Sequence, residues 1–344
     1  MNEKSKQLFE IKKAPEFRPF YIGEVKINNP LILAPLAGIT DVVFRRIIKS
    51  MGTGLVYTEM ISCFALHYNN RKTWKIAELS EEEKPVSVQI FGGDPQLMAE
   101  AAKRLEDMGA SIIDINLGCS VPKVVKSGAG AALCRDLPLL AKNFEAVVSA
   151  VKIPVTIKIR KGWSNDEITA PEICKMAREC GIKAVAIHGR TSVQKYSGTA
   201  DWEFIKKMKE TANLPIIGNG DIRTAAGARA RLEFSGVDGI MIGREAVSNP
   251  WIFRESLELM QGLKVDESGK HQNLRELILY HLNQEVERFG KVSGVEKMRK
   301  FIAWYTRGLP GSSRFREQIF HIPEYEAVVE EVNTFFHQLA AHRR

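Results

Sequence analysis

No stretch of this 344-residue chain reaches the ~20 uninterrupted apolar residues that a membrane-spanning helix requires, which excludes a helical integral membrane protein. The opening residues, Met1-Asn2-Glu3-Lys4-Ser5-Lys6, bring no apolar secretory segment. Cysteine is scarce. There are five, at positions 63, 119, 134, 174 and 180, an odd count whose spacings match neither a zinc site nor a disulfide framework. The expectation is a cytoplasmic protein with reduced thiols, no membrane contact and no metal. A glycine-rich dinucleotide fingerprint, short-period repeats and low-complexity tracts are missing as well.

What is present is enough apolar side chain, 44%, for a full core. Strand-length apolar runs recur at about 31–36, 54–59, 86–91, 111–116, 154–159, 183–188, 214–218 and 238–242. Amphipathic stretches of helical length lie near 41–50, 95–107, 138–151, 168–180, 201–212 and 224–234. Strands alternating with helices imply βαβ units and a parallel sheet. Eight units in this length predict an α/β fold, a (β/α)8 TIM barrel, with a doubly wound sheet as the other possibility. After Gln261 the pattern changes to helices alone, over 274–289, 296–305 and 325–339, which predicts a smaller C-terminal all-helical domain. The net charge is +8, and much of the excess is local. Between Lys291 and Arg316, seven basic residues face Glu296 alone, which suggests a polyanionic partner.

Chemistry gathers at the strand ends. The first strand closes Ala34-Pro35-Leu36-Ala37-Gly38, where proline interrupts pairing and small residues let the backbone lie flat against a planar ligand. The same residues would also serve as an ordinary turn into a helix capped by Thr40 or Asp41. Gln89 breaks the apolar third strand, so its amide needs a heterocycle edge or a structural hydrogen bond. The fourth strand, Ile112 to Leu117, runs into Gly118-Cys119 and sets a thiol just past its C-terminal end, where barrels of this kind do chemistry. Lys158 and Arg160, two apart, point the same way. A lysine inside a barrel either snorkels to the rim or meets an anion such as the N1–C2=O region of a reduced flavin. His188 ends the sixth strand, as a donor to a pyrimidine-type carbonyl or as a satisfied core residue. The last two strands end in Asn219-Gly220-Asp221 and Gly243-Arg244, the usual place for a phosphate in this architecture. Together these residues describe noncovalent FMN beside a proton donor. A cysteine thiol, of ordinary pKa about 8.5, is protonated at neutral pH and suits a general acid. Nucleophilic catalysis is the competing role, without a recognisable histidine or asparagine partner.

As a set, these motifs resemble the tRNA-dihydrouridine synthases, most closely the bacterial B-type subfamily. The likeness rests on Ala34 to Gly38, Gln89-Ile90-Phe91-Gly92, Asp114 to Cys119, Lys158 to Trp163, His188-Gly189-Arg190-Thr191 with Gln194, Tyr196 and Gly198, Asn219-Gly220-Asp221, and Gly243-Arg244. It implies an N-terminal extension over 1–25, an FMN-binding catalytic barrel over 26–260 and a helical RNA-binding domain over 270–344. The implied activity is reduction of uridines in tRNA to 5,6-dihydrouridine, with hydride from reduced FMN to C6 and a proton from Cys119 to C5. NADPH, or NADH in its place, would re-reduce the flavin. Carried over by position, Pro35, Leu36, Ala37, Gln89, Lys158, Asn219, Gly220, Asp221, Gly243 and Arg244 line FMN, with His188 near its ring, while Asn116 and Arg160 face the RNA. The basic segment fits independently: Lys297, Arg299, Lys300 and Arg307, interleaved with Trp304 and Tyr305, read as phosphate grips beside a stacking aromatic. One departure stands out. The family usually has proline after the cysteine, and here Ser120 follows it. A monomer is expected. Three other readings remain open: the same chemistry on ribosomal RNA, an FMN oxidoreductase of a free pyrimidine, and an RNA-binding protein with a vestigial flavin site.

Overall fold

A computed structural model describes residues 17–265 and 270–341. Of the expected N-terminal extension, residues 1–16 lie outside the described part, and residues 20–27 form an antiparallel hairpin, β1 (Phe20–Ile22) and β2 (Val25–Ile27). The remaining strands are β3 (Leu31–Leu33), β4 (Val56–Tyr57), β5 (Ile61–Ser62), β6 (Val86–Phe91), β7 (Ile112–Leu117), β8 (Val155–Arg160), β9 (Ala184–His188), β10 (Ile216–Asn219) and β11 (Gly239–Ile242). They pair in parallel in the order β3-β11-β10-β9-β8-β7-β6-β4, with β5 also on β6. The barrel closes where β3 meets the start of β4: Gly54 N–H donates to Leu31 O at 2.9 Å, and Leu33 N–H to Leu55 O at 3.0 Å.

Alternation along each strand divides the core in two. Outward residues such as Val88 on β6, Ile113 and Ile115 on β7, and Ile157 on β8 pack under the helices. Inward residues, among them Ile32, Tyr57, Ile112, Ala186, Ile217 and Met241, fill the lumen. Ile22 and Ile27 of the hairpin belong to that same inner cluster, so the hairpin plugs the end where the strands begin. Polar side chains collect at the opposite end, where the strands finish.

The single second strand expected over 54–59 is two short pieces. Between them, at Thr58-Glu59-Met60, the backbone ladder opens and the Thr58 hydroxyl accepts the Gln89 N–H at 3.0 Å. The barrel helices are α1 (Val42–Ser50), α2 (Cys63–His67), α3 (Arg71–Ile76), α4 (Pro95–Asp107), α5 (Pro122–Lys126), α6 (Leu137–Ala150), α7 (Ala170–Glu179), α8 (Trp202–Thr211), α9 (Ala225–Ser235), α10 (Arg244–Ser248) and α11 (Ile252–Met260). Their starts follow from sequence: Asp41, Asp94, Asp136, Asp201 and Thr224 each accept a first-turn N–H as N-caps.

Four more helices follow among the described residues: α12 (Lys270–Phe289), α13 (Lys291–Tyr305), α14 (Ser312–His321) and α15 (Tyr325–Ala341). This C-terminal helical region packs on α1, where the rings of Phe44 and Phe301 stack at 5.2 Å, and its core is continuous with the outer layer of the barrel. Helix α14 was not expected. Only Phe315 and Ile319 mark its buried apolar face, Phe320 being exposed, and that is too short a period to read. Among the described residues no helix is long and apolar enough to cross a membrane.

Candidate active site

The strands end around a cavity of about 800 Å³. All of the barrel residues singled out from sequence line it: Pro35, Leu36 and Ala37 after β3; Gln89 on β6; Asn116 and Cys119 at the end of β7; Lys158 and Arg160 on β8; His188 on β9; Asn219, Gly220 and Asp221 after β10; Gly243 and Arg244 after β11. From the helical region, Trp304 and Arg307 reach the same cavity.

Lys158 is held inward, its Nζ 3.2 Å from Asn219 Oδ1, while Asn219 Nδ2 donates to Met241 O at 2.8 Å. Burial, reinforced by the neighbouring Arg160 charge and opposed by Asp114, brings its pKa down to about 8. Arg160 is less a free cation than a knot. Its Nε donates to Gly118 O at 3.0 Å and its Nη1 to Thr191 O and Lys195 O, both at 2.9 Å, tying the cysteine loop to the loop after β9. Burial and four nearby cations, Lys158, Arg160, Arg190 and Arg244, push His188 down to about 2, so its imidazole is neutral.

Asp221 sits in the left-handed region at φ 52. Its carboxylate accepts from Ala200 N–H and Arg190 Nη2, both at 2.7 Å, and lies 3.5 Å from Arg244. Burial would raise its pKa; the Ala200 N–H and the two arginines hold it below the usual carboxylate range. Asp221 therefore aims arginines rather than offering its own charge to a ligand. Gly220, at φ +135, could carry no side chain, because a Cβ would stand 2.4 Å from that of Ala200.

Cys119 is half-buried. Its N–H donates to Asn116 Oδ1 at 3.0 Å and its carbonyl accepts Ala131 N–H at 3.0 Å. A Cβ on Gly130 would approach that carbonyl to 2.7 Å, so glycine is required there, and φ +61 agrees. Ser120 interrupts none of these bonds.

The basic segment divides. Lys297 pairs with Asp41 Oδ2 at 2.7 Å, Lys300 donates to the Gly38 carbonyl, and Arg299 Nη2 donates to Ile322 O at 3.1 Å. Glu59 accepts the Gly38 N–H from the other side. These three cations tie α13 to the loop after β3 and to the chain after α14, and none lines the cavity. Arg307, at the far end of α13, is exposed and does. Two further residues had motif membership but no assigned task. Arg190 is 1% exposed and orients Asp221. Tyr196 is 59% exposed, with the Arg244 guanidinium 4.7 Å from its ring centre.

The charges favour an anion. Five cations line the cavity, Lys158, Arg160, Arg223, Arg244 and Arg307, against Asp221 and Glu245, and Asp221 is already paired. Barrel, cavity and thiol together define a class: a (β/α)8-barrel enzyme with a cation-lined cavity beside a half-buried cysteine. The chain belongs to the dihydrouridine synthase family, whose model matches residues 32–340. It is 42% identical over 316 residues to a protein of Rickettsia bellii named probable tRNA-dihydrouridine synthase, covering 92% of this chain and 97% of that protein. It is 40% identical over 315 residues to tRNA-dihydrouridine synthase B of Pseudomonas aeruginosa, covering 92% and 95%. Among solved structures, the fold is similar to that of histamine dehydrogenase from Rhizobium sp. 4-9, with a TM-score of 0.54 at 13% identity over 86% of this chain and 51% of that one.

Proposed function

We propose that the protein reduces specific uridines of tRNA to 5,6-dihydrouridine, as a cytoplasmic monomer, with noncovalent FMN in the barrel mouth and NADPH as reductant. The observation that carries this reading is the shared cavity. The thiol, the buried lysine and the glycine-arginine grip lie in one space with Trp304 and Arg307 of the helical region. A free pyrimidine would need no such second wall.

The residues fit FMN. The cavity falls within the ~300–1,000 Å³ usual for cofactor-sized ligands. Gly220, Gly243 and Arg244 would grip its phosphate, Pro35 to Ala37 and Gln89 would flank its ring, and Lys158 would offset charge at the ring's anionic pole. When bound, FMN supplies the hydride for uracil C6. The chain supplies the rest. Cys119 delivers the proton to C5 as a general acid. His188, being neutral, offers an N–H to a ring carbonyl without adding charge. Arg307 meets RNA phosphate and Trp304 a base. Lys297, Arg299 and Lys300 serve the RNA indirectly, by fixing α13 against the barrel. In this assignment residues 26–260 carry catalysis and 270–344 carry RNA.

The test is turnover with unmodified tRNA transcript and NADPH, with dihydrouridine counted by mass spectrometry of the digested RNA. Cys119→Ala should keep its flavin and reduce it with NADPH, yet form almost no dihydrouridine. Turnover of free uridine at a rate matching tRNA would overturn the RNA assignment, and product only from ribosomal RNA would move it.

A further inference from the structure

Asp114 has no part in the chemistry described above, although it is 0% exposed inside the barrel and is ionisable. It stands on β7 two residues before Asn116, so both side chains face the lumen. Its Oδ2 accepts from Gln89 Nε2 at 2.7 Å and its Oδ1 from the Thr156 hydroxyl at 2.7 Å. Gln89 Oε1 in turn accepts from Asn116 Nδ2 at 2.7 Å. Asn116 Oδ1 then accepts two backbone donors, Gly118 N–H at 3.2 Å and Cys119 N–H at 3.0 Å.

We infer that Asp114 is a positioning residue for Cys119, acting through the amides of Gln89 and Asn116. An ionised carboxylate only accepts hydrogen bonds, and a backbone N–H only donates. An amide presents an oxygen and a nitrogen of nearly the same shape, so something must choose which end faces which neighbour. The carboxylate obliges Gln89 to turn its nitrogen inward and its oxygen toward Asn116. That obliges Asn116 to spend its nitrogen on Gln89 and to leave its oxygen for the cysteine loop. Both ends of the chain then demand the same arrangement, and every member is satisfied. Burial raises the Asp114 pKa to about 6, opposed by Gln89, Thr156 and the Lys158 charge, so the group is ionised at neutral pH. The Asp-Ile-Asn-Leu-Gly-Cys run is thus a connected device: Asp114 sets polarity, Asn116 transmits it and Cys119 receives it.

This inference rests on the proposed role of Cys119 as acid, so Cys119→Ala is measured alongside. The experiment uses the flavin-loaded protein and follows three readouts: flavin reduction by NADPH, reoxidation of the reduced flavin by tRNA, and the iodoacetamide labelling rate of Cys119 relative to Cys180 by peptide mass spectrometry. Asp114→Leu removes the acceptor with little change of size. It should slow the tRNA half-reaction about 100-fold, the scale of a displaced reacting group. Cys119 labelling should rise at least about fivefold, equivalent to one lost bond of about 1 kcal/mol. Flavin reduction should stay within about twofold of wild type, since it needs no proton from Cys119. Asp114→Asn should be mild, because the Thr156 hydroxyl accepts as readily as it donates and so leaves the introduced amide its oxygen for Gln89. Equal damage from Leu and Asn, or proportional loss of flavin reduction, would show a structural role only.

A second pair remains decisive if the leucine variant does not fold. Asn116→Asp sets Gln89 between two carboxylates. Adding Asp114→Asn reverses the two bonds of the Gln89 amide, whose oxygen then accepts from the amide at 114 and whose nitrogen donates to the carboxylate at 116, and it still leaves an acceptor for Cys119 N–H. The double variant should therefore label Cys119 more slowly than Asn116→Asp alone and recover at least about tenfold of its tRNA rate, about 1.4 kcal/mol. No recovery refutes the inference. Full tRNA activity in Cys119→Ala would refute the acid role instead, while the labelling rates would still report on the anchoring.

Discussion

At the scale of the residue, Lys158 shows how burial makes a charge useful. Its position on β8 and its direction were readable from the spacing with Arg160. Its partners were not, because Asn219 lies 61 residues away on β10. The pKa of about 8 has a direct consequence for the apo protein. The lysine is charged below about 8 and loses its proton as pH rises through that value. FMN affinity should thus be flat up to about pH 7 and fall above about 8, by up to roughly tenfold per unit. Fluorescence titration of FMN into apo protein across pH reads this directly, and a flat profile to pH 10 would separate Lys158 from the flavin. In holoprotein, Lys158→Met should lower the two-electron potential of the flavin. Loss of a charge-assisted contact of about 1.5–3 kcal/mol corresponds to roughly 30–65 mV. Dye-coupled reduction measures it, and an unchanged potential would place Lys158 away from the ring's anionic pole. Gln89 is the instructive contrast. Sequence offered it a ligand edge or a structural bond, and the structure gives it two structural bonds while keeping it on the cavity wall.

Among elements, α13 departs furthest from its sequence reading. Four cations and two aromatics on one segment read as a phosphate-gripping face, and helical spacing did set Lys297 and Lys300 together. What spacing cannot reveal is which face the fold covers. The Lys297–Asp41 contact joins residues 256 apart, and no local pattern encodes it. Asp41 has two duties, as N-cap of α1 and as partner of Lys297. Burial would raise its pKa, and Lys297 wins by charge and hydrogen bond, holding it low. Removing Lys297 would leave a carboxylate of 7% side-chain exposure without its cation. Lys297→Ala should therefore cost about 2 kcal/mol, below the 3–5 of a fully buried pair because the lysine itself is 31% exposed. Arg307→Ala should leave stability within about 0.5 kcal/mol, as an exposed position does, while weakening tRNA binding. Urea unfolding and a tRNA titration on both variants separate the two roles. Loss of tRNA affinity in Lys297→Ala with wild-type stability would return that lysine to the RNA surface.

For the whole molecule, the barrel was the legible part, because eight strand-helix alternations leave a repeated period that survives local errors. The split second strand and α14 were not legible. One depends on a side chain replacing a ladder carbonyl, and the other shows too few apolar positions to register. The cavity was legible in composition but not in its second wall, since Trp304 and Arg307 reach it only once the helical region has docked on α1. That docking makes a prediction about where RNA sits. If tRNA spans the mouth from the cysteine loop to the end of α13, then Lys123 on α5 and Arg307 each neutralise a phosphate. Their joint replacement by alanine should flatten the dependence of log affinity on log salt by about 1.4 to 1.8, at roughly 0.7–0.9 per contact. Lys142 on α6 and Lys175 on α7 are exposed on the outer helical ring, and replacing them removes the same charge from another face. That control should leave the slope unchanged and affinity nearly so, with flavin content and NADPH reduction intact in both pairs. Equal flattening in the two pairs would mean that tRNA responds only to net charge, and the mouth would then lose its standing as the RNA-facing surface.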